Sequence, residues 1–104
     1  MAAYLQSDDS KRQHYIEMAM ATADGDKRGF LTDIFERLPD EQKAEIGDQF
    51  IGSDNWRVRA DGVALIANKD ISNLDAANKL IDVFFNEENS HVKGRILGLS
   101  LIHI

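Results

Sequence analysis

The sequence predicts an all-α fold, and three observations carry that prediction. Apolar residues recur at intervals of three and four along most of the 104 residues. Proline occurs once, at Pro39. The alternation of β-branched and aromatic residues that marks strands is scarce. About six short helices account for the pattern, arranged either as stacked helical hairpins or as an irregular helical bundle.

Ser7, Asp8, Asp9 or Ser10 offers a cap to a first helix that runs to about residue 23, with Tyr15, Met18, Ala19 and Ala23 turned inward. Asp24-Gly25-Asp26 ends it. A second helix over about 29–38 carries Phe30, Leu31, Ile34, Phe35 and Leu38 at helical spacing. Pro39 suits the first turn of a third helix over about 40–50, whose early acids are favoured by the helix dipole. Gly52-Ser53-Asp54 breaks the chain again.

The fourth helix, about 55–67, shows two apolar faces: Trp56, Ala60, Val63 and Ala67 on one, Val58, Leu65 and Ile66 on the other. It is therefore expected to touch neighbours on two sides. Asn68-Lys69-Asp70 turns the chain into a fifth helix, about 73–86, presenting Leu74, Ala77, Leu80, Ile81 and Phe84. Glu87-Glu88-Asn89-Ser90 forms a loop and cap before a last helix that runs from residue 91.

A chain of this length suits one domain, 1–104, with a core large enough to stand without staples. Its 43% hydrophobic content is that of a globular protein. With no cysteine, disulfides, thiolate metal sites and cysteine nucleophiles are excluded together, in keeping with a reducing compartment. The net charge of −6 provides no global field for phosphate, so no direct nucleic-acid binding is expected. The first nine residues lack a basic leader and an apolar segment, and no run reaches the length of a membrane span. A cytoplasmic protein is the expectation.

Residues 54–65, Asp-Asn-Trp-Arg-Val-Arg-Ala-Asp-Gly-Val-Ala-Leu, align with 88–99, Glu-Asn-Ser-His-Val-Lys-Gly-Arg-Ile-Leu-Gly-Leu, at an offset of 34. Asn, Val and Leu recur unchanged, and acidic, basic and small positions recur in kind. An offset between about 20 and 50 residues is the mark of stacked helical units, each covering an apolar face its neighbour cannot bury alone. Over roughly residues 53–104 the chain resembles the HEAT-like (armadillo-type) helical repeats, which open a helix with an acidic turn, then Val-Arg, then small residues and Leu. Asp54, Val58, Arg59, Ala64 and Leu65 follow that pattern, and Glu88, Val92, Lys93, Gly98 and Leu99 follow it more loosely. A fainter echo links 31–35 with 80–84. The resemblance implies a protein-binding module without catalysis.

The last helix has Val92, Ile96, Leu99 and Ile102 on one face and Leu97, Leu101 and Ile104 on another. Terminal repeats need a polar outer face. This one is expected to pack back on the early helices, to be covered by a partner, including a second copy in a symmetric dimer, or to continue in a longer chain.

Among chemical motifs, Asp24-Gly25-Asp26-Lys27-Arg28-Gly29-Phe30 reads like the first half of an EF-hand calcium loop. The bidentate carboxylate such a loop ends on falls at Phe35, with Glu36 one place late, and Arg28 stands where an oxygen donor belongs. A helix-breaking turn explains the stretch as well. His14, His91 and His103 lack the i, i+3 or i, i+4 partners of a helical metal site, and no nucleophile elbow, phosphate loop or dinucleotide fingerprint occurs. No enzyme activity, metal or other cofactor is predicted.

The candidate protein-binding residues are Trp56, Arg57, Arg59, Lys93, Arg95, Leu97 and Leu101. Stacking of the two matching helices would bring Arg59 near Lys93 as a positive ridge, or else pair them with Asp54, Asp61 or Glu88. Trp56 beside Arg57 combines two residue types over-represented at binding hot spots. A protein partner follows from that reading. The alternative is an acidic inhibitor that fills a basic site of a nucleic-acid-binding partner with Asp40, Glu41, Glu45, Asp48, Glu87 and Glu88. A degenerate calcium binder ranks third.

Overall fold

The computed structural model describes residues 2–67 and 74–102, with side chains at 4–67 and 77–98. The expected turn at 68–70 and the side chains of Leu74, Leu99, Leu101, Ile102, His103 and Ile104 lie outside the described residues. The chain is all-α: α1 (Ala2–Ser7), α2 (Asp9–Ala21), α3 (Gly25–Phe35), α4 (Asp40–Ile51), α5 (Trp56–Ala67), α6 (Leu74–Asn86) and α7 (Ser90–Ile102). Among the described residues no helix is long and apolar enough to cross a membrane.

α1 is the element the sequence pattern did not announce. Leu5 anchors it, fully buried, and Arg12 closes its end by donating to the carbonyls of Leu5 (3.0 Å) and Gln6 (3.3 Å). Asp8 then caps α2, its carboxylate accepting the Lys11 N–H at 3.0 Å. In α2 the buried residues are Ile16 and Ala19, while Tyr15 and Met18 are half-buried and Ala23 is exposed beyond the helix end. The inward face is thus rotated from the one the spacing suggested. α3 begins at Gly25, four residues earlier than expected, because Asp24 caps it by accepting from Asp26 and Lys27 N–H. Phe30 consequently points to solvent, 63% exposed, while Leu31, Ile34 and Phe35 are buried.

α5 is the central helix, packed against α3, α4, α6 and α7. Its two apolar faces serve two adjoining cores, as the sequence implied, but Ile66, expected beside Val58 and Leu65, falls on the other side. Val58 and Leu65 join Leu5, Ile16, Leu31, Phe35, Ile46 and Phe50 in one, where Phe35 and Phe50 meet edge to face at 6.2 Å. Ala60, Val63, Ile66 and Ala67 join Leu80, Val83, Val92 and Ile96 in the other. The closest helix pair is α4 with α5, and glycine permits it. A Cβ on Gly47 would lie 2.6 Å from Ile66 Cγ1 and 3.0 Å from the Gly62 carbonyl; one on Gly62 would lie 2.8 Å from Phe50 Cβ and 3.0 Å from the Gly47 carbonyl.

Polar ties run across the helices. Gln13 on α2 and Gln49 on α4 exchange amide hydrogen bonds at 3.0 and 3.2 Å, and Lys79 on α6 pairs with Asp48 on α4 at 2.9 Å. Asp61 on α5 stands between Arg28 of α3, at 3.0 Å, and Arg95 of α7, at 3.8 Å. Arg28 is buried, so its charge relies on that carboxylate. Asp61→Ala is expected to destabilise the fold by about 3 kcal/mol, because it strands a buried guanidinium. Equilibrium urea unfolding reads this directly, and a variant of wild-type stability would show that water or another group already satisfies Arg28.

Candidate functional site

Three helices begin alike. Asp24, Asn55 and Asn89 precede α3, α5 and α7, and each side chain accepts the backbone N–H two residues on, from Asp26, Arg57 and His91, at 2.8 to 2.9 Å. Short Asx side chains do this because their oxygen reaches back to the orphan donors of the first turn. The Asn55 and Asn89 caps occupy matching places in the 34-residue alignment, and the helices they start pack together.

That packing brings Trp56, at the head of α5, onto His91, near the head of α7. Their rings stack at 5.1 Å between centroids with 21° between planes. The Arg57 guanidinium carbon lies 4.7 Å from the Trp56 ring centroid. Trp56 is half-buried, Arg57 and His91 are exposed, and Arg57 makes no ion pair among the described residues. Sequence reasoning weighed His91 only as a metal ligand and left it out of the binding residues; the 34-residue offset, which sets His91 opposite Arg57, was the signal available for it.

The other basic candidates go separate ways and form no shared ridge. Arg59 turns inward and grips Glu87 through two bonds, Nε to Oε2 at 2.8 Å and Nη2 to Oε1 at 2.9 Å. Its Nη1 donates to the carbonyls of Ser53 and Asp54, both at 3.0 Å. The Glu87 side chain is only 4% exposed and also accepts the Asn89 N–H at 3.0 Å. The Arg59 bonds outweigh burial and hold the Glu87 carboxyl below its ordinary range; the same bonds hold Arg59 protonated. Arg95 donates to the Ala60 carbonyl at 3.2 Å and stays near Asp61. Lys93 lies over the Phe84 ring, 5.7 Å from its centroid. Leu97 is half exposed, and Leu101 lies outside the residues with described side chains.

The calcium-loop reading meets a geometric obstacle. Gly25 to Phe35 is continuous helix, Asp24 is spent on capping it, and Arg28 is turned into the protein toward Asp61. A ligand loop needs irregular backbone that curls around the ion, and this stretch has none. Among the described residues no cluster of three or more His, Asp or Glu is placed to hold a metal. The acidic surface also loses a member, since Glu87 is buried against Arg59, while Asp40 pairs with Lys43 and Asp48 with Lys79. Glu41, Glu45 and Glu88 remain exposed.

A cleft of about 310 Å³ opens beside the Arg59–Glu87 pair, lined by Ile51, Arg59, Val83, Asn86, Glu87 and Glu88. Of its charged lining residues, Arg59 and Glu87 already satisfy each other. Comparison with protein-family models, with curated proteins and with solved structures finds no match to this chain.

Proposed function

We propose that the chain is a non-catalytic protein-interaction module built on HEAT-like helical repeats. The observation that carries this reading is the Trp56–Arg57–His91 stack. Its flat groups are held in place before any partner arrives, which lowers the ordering cost of binding. Tryptophan and arginine are both residue types enriched at binding hot spots. The matched caps at Asn55 and Asn89 and the direct packing of α5 on α7 support the repeat part of the reading. The partner offers a carboxylate to Arg57 and an apolar or aromatic side chain to Trp56. A cytoplasmic setting belongs to this reading.

The test is capture of a partner from cell extract by tagged wild type, Trp56→Ala and Arg57→Glu at equal helicity. A protein retained by wild type and reduced at least tenfold by both variants is the expected result. Equal retention by all three would move the binding surface away from the stack.

A second reading keeps the acidic inhibitor in view, carried by Glu41 and Glu45, exposed one turn apart on α4. It predicts binding to a basic partner that falls steeply with salt and is lost in Glu41→Lys with Glu45→Lys. Glu87 takes no part in it.

A further inference from the structure

Among the described residues, the richest apolar surface lies elsewhere, where α6 meets α7. Phe85 is 79% exposed and Ile81 52%, one turn apart on the side of α6 away from Leu80 and Val83. Phe84 turns toward α7 and supports Lys93, and Leu97 stands one turn beyond Lys93, 51% exposed. Natural monomers seldom leave several large side chains clustered in water without a use for them.

The charges around this row are arranged in a particular way. Lys93 borders it on the α7 side. Asp82 borders it on the other: at about 100° per residue it lies some 100° around α6 from Ile81, whereas Phe84 lies about 60° the opposite way. Asp82 is exposed, and neither Asp82 nor Lys93 makes an ion pair among the described residues. Among the described residues, every other Lys or Arg of α5, α6 and α7 except Arg57 has a carboxylate within 4 Å. The patch therefore reads cation, apolar row, anion, and it is complementary to itself.

We propose that this face binds a second copy of the chain, in a symmetric pair whose two-fold axis runs along α6. That operation exchanges the two flanks, so Lys93 of each copy meets the partner's Asp82 while Ile81 and Phe85 close the centre. A two-fold axis set across the helix would return each lysine to its own symmetry mate, and like charges would face one another. The contact is small, below about 1,200 Å² in total, and so the dimer is weak and depends on concentration. None of the residues in the Trp56 stack takes part, so the failure of either idea leaves the other standing.

Sedimentation equilibrium from micromolar to near-millimolar protein tests it. The expected result is a wild-type mass that rises toward twice the monomer, and single variants Phe85→Asp, Lys93→Asp and Asp82→Lys that each weaken association at least tenfold. Asp82 and Phe85 are exposed and Lys93 is half-buried with its amine over the Phe84 ring, so circular dichroism should register unchanged helicity. The decisive variant combines Lys93→Asp with Asp82→Lys, which restores both cross-copy pairs with reversed sign and should recover association. Three outcomes overturn the proposal: a wild type that stays monomeric throughout, a dimer indifferent to Phe85→Asp, or a double variant no better than its parents.

Discussion

Gly62→Ala should lower stability by about 2–3 kcal/mol, and Gly62→Val should leave little folded protein at ambient temperature. Helix propensity alone argues the opposite, since alanine in a helix interior is favoured over glycine by about 1 kcal/mol. Packing decides the sign. The new Cβ would sit 2.8 Å from Phe50 Cβ, 3.0 Å from the Gly47 carbonyl and 3.2 Å from the Ile51 nitrogen, and two of those three are backbone that cannot swing aside. α4 and α5 would have to separate, opening the contact around Phe50. The internal control is Gly94→Ala, on an open stretch of α7 with nothing within 4 Å of the added methyl, which should stabilise by about 0.5–1 kcal/mol. Urea titrations of the two variants should therefore move in opposite directions. If Gly62→Ala gained stability as Gly94→Ala does, the close approach of α4 and α5 would not exist in solution.

Glu87→Ala carries the second large effect, a loss of about 3–5 kcal/mol, because it removes the carboxylate that satisfies a mostly buried guanidinium. The same pair shapes the acid limb of the stability curve. Glu87 titrates below its ordinary range in the folded chain, owing first to the Arg59 hydrogen bonds and then to the Asn89 N–H, with burial opposing them. The unfolded chain therefore takes up this proton first. The stabilisation is complete above about pH 4.3, the ordinary glutamate value, and is lost as pH falls through the lower folded value. Glu87→Gln should be less stable near neutrality yet flatter below pH 4. Parallel acid limbs for the two proteins would show that the pair is screened by solvent and contributes little.

The later helices were legible because apolar spacing and break residues agreed from 40 onward: α4, α5, α6 and α7 begin or end within one or two residues of the spacing pattern. α5 even announced its two-sided burial through Val58 and Leu65 against Ala60 and Val63. Beyond α1 and its buried Leu5, most of what escaped the sequence was polar. Asp24-Gly25-Asp26 reads as a break, and it is one, but its first aspartate also starts the next helix, which shifted α3 and put Phe30 outside. Arg28 has no local partner; Asp61, 33 residues away, supplies it. Glu87 looked like a loop acid, and only the fold reveals that Arg59 reaches it. Of the candidate binding residues, Trp56 and Arg57 come together with His91, while Arg59, Lys93 and Arg95 disperse to Glu87, Phe84 and Asp61. Linear proximity to a charge says little about which way a long, flexible side chain will turn.

The tight α4–α5 approach also bears on the order in which the chain assembles. The two helices are joined by only four residues, 52–55, so bringing them together sacrifices little chain entropy. With no side chains to interlock at Gly47 and Gly62, the backbones can meet before the rest of the core has settled. This hairpin is therefore expected to form early, and α5 then offers one face to α2 and α3 and the other to α6 and α7. The molecule would grow outward from its middle, with the α6 and α7 surfaces among the last to form.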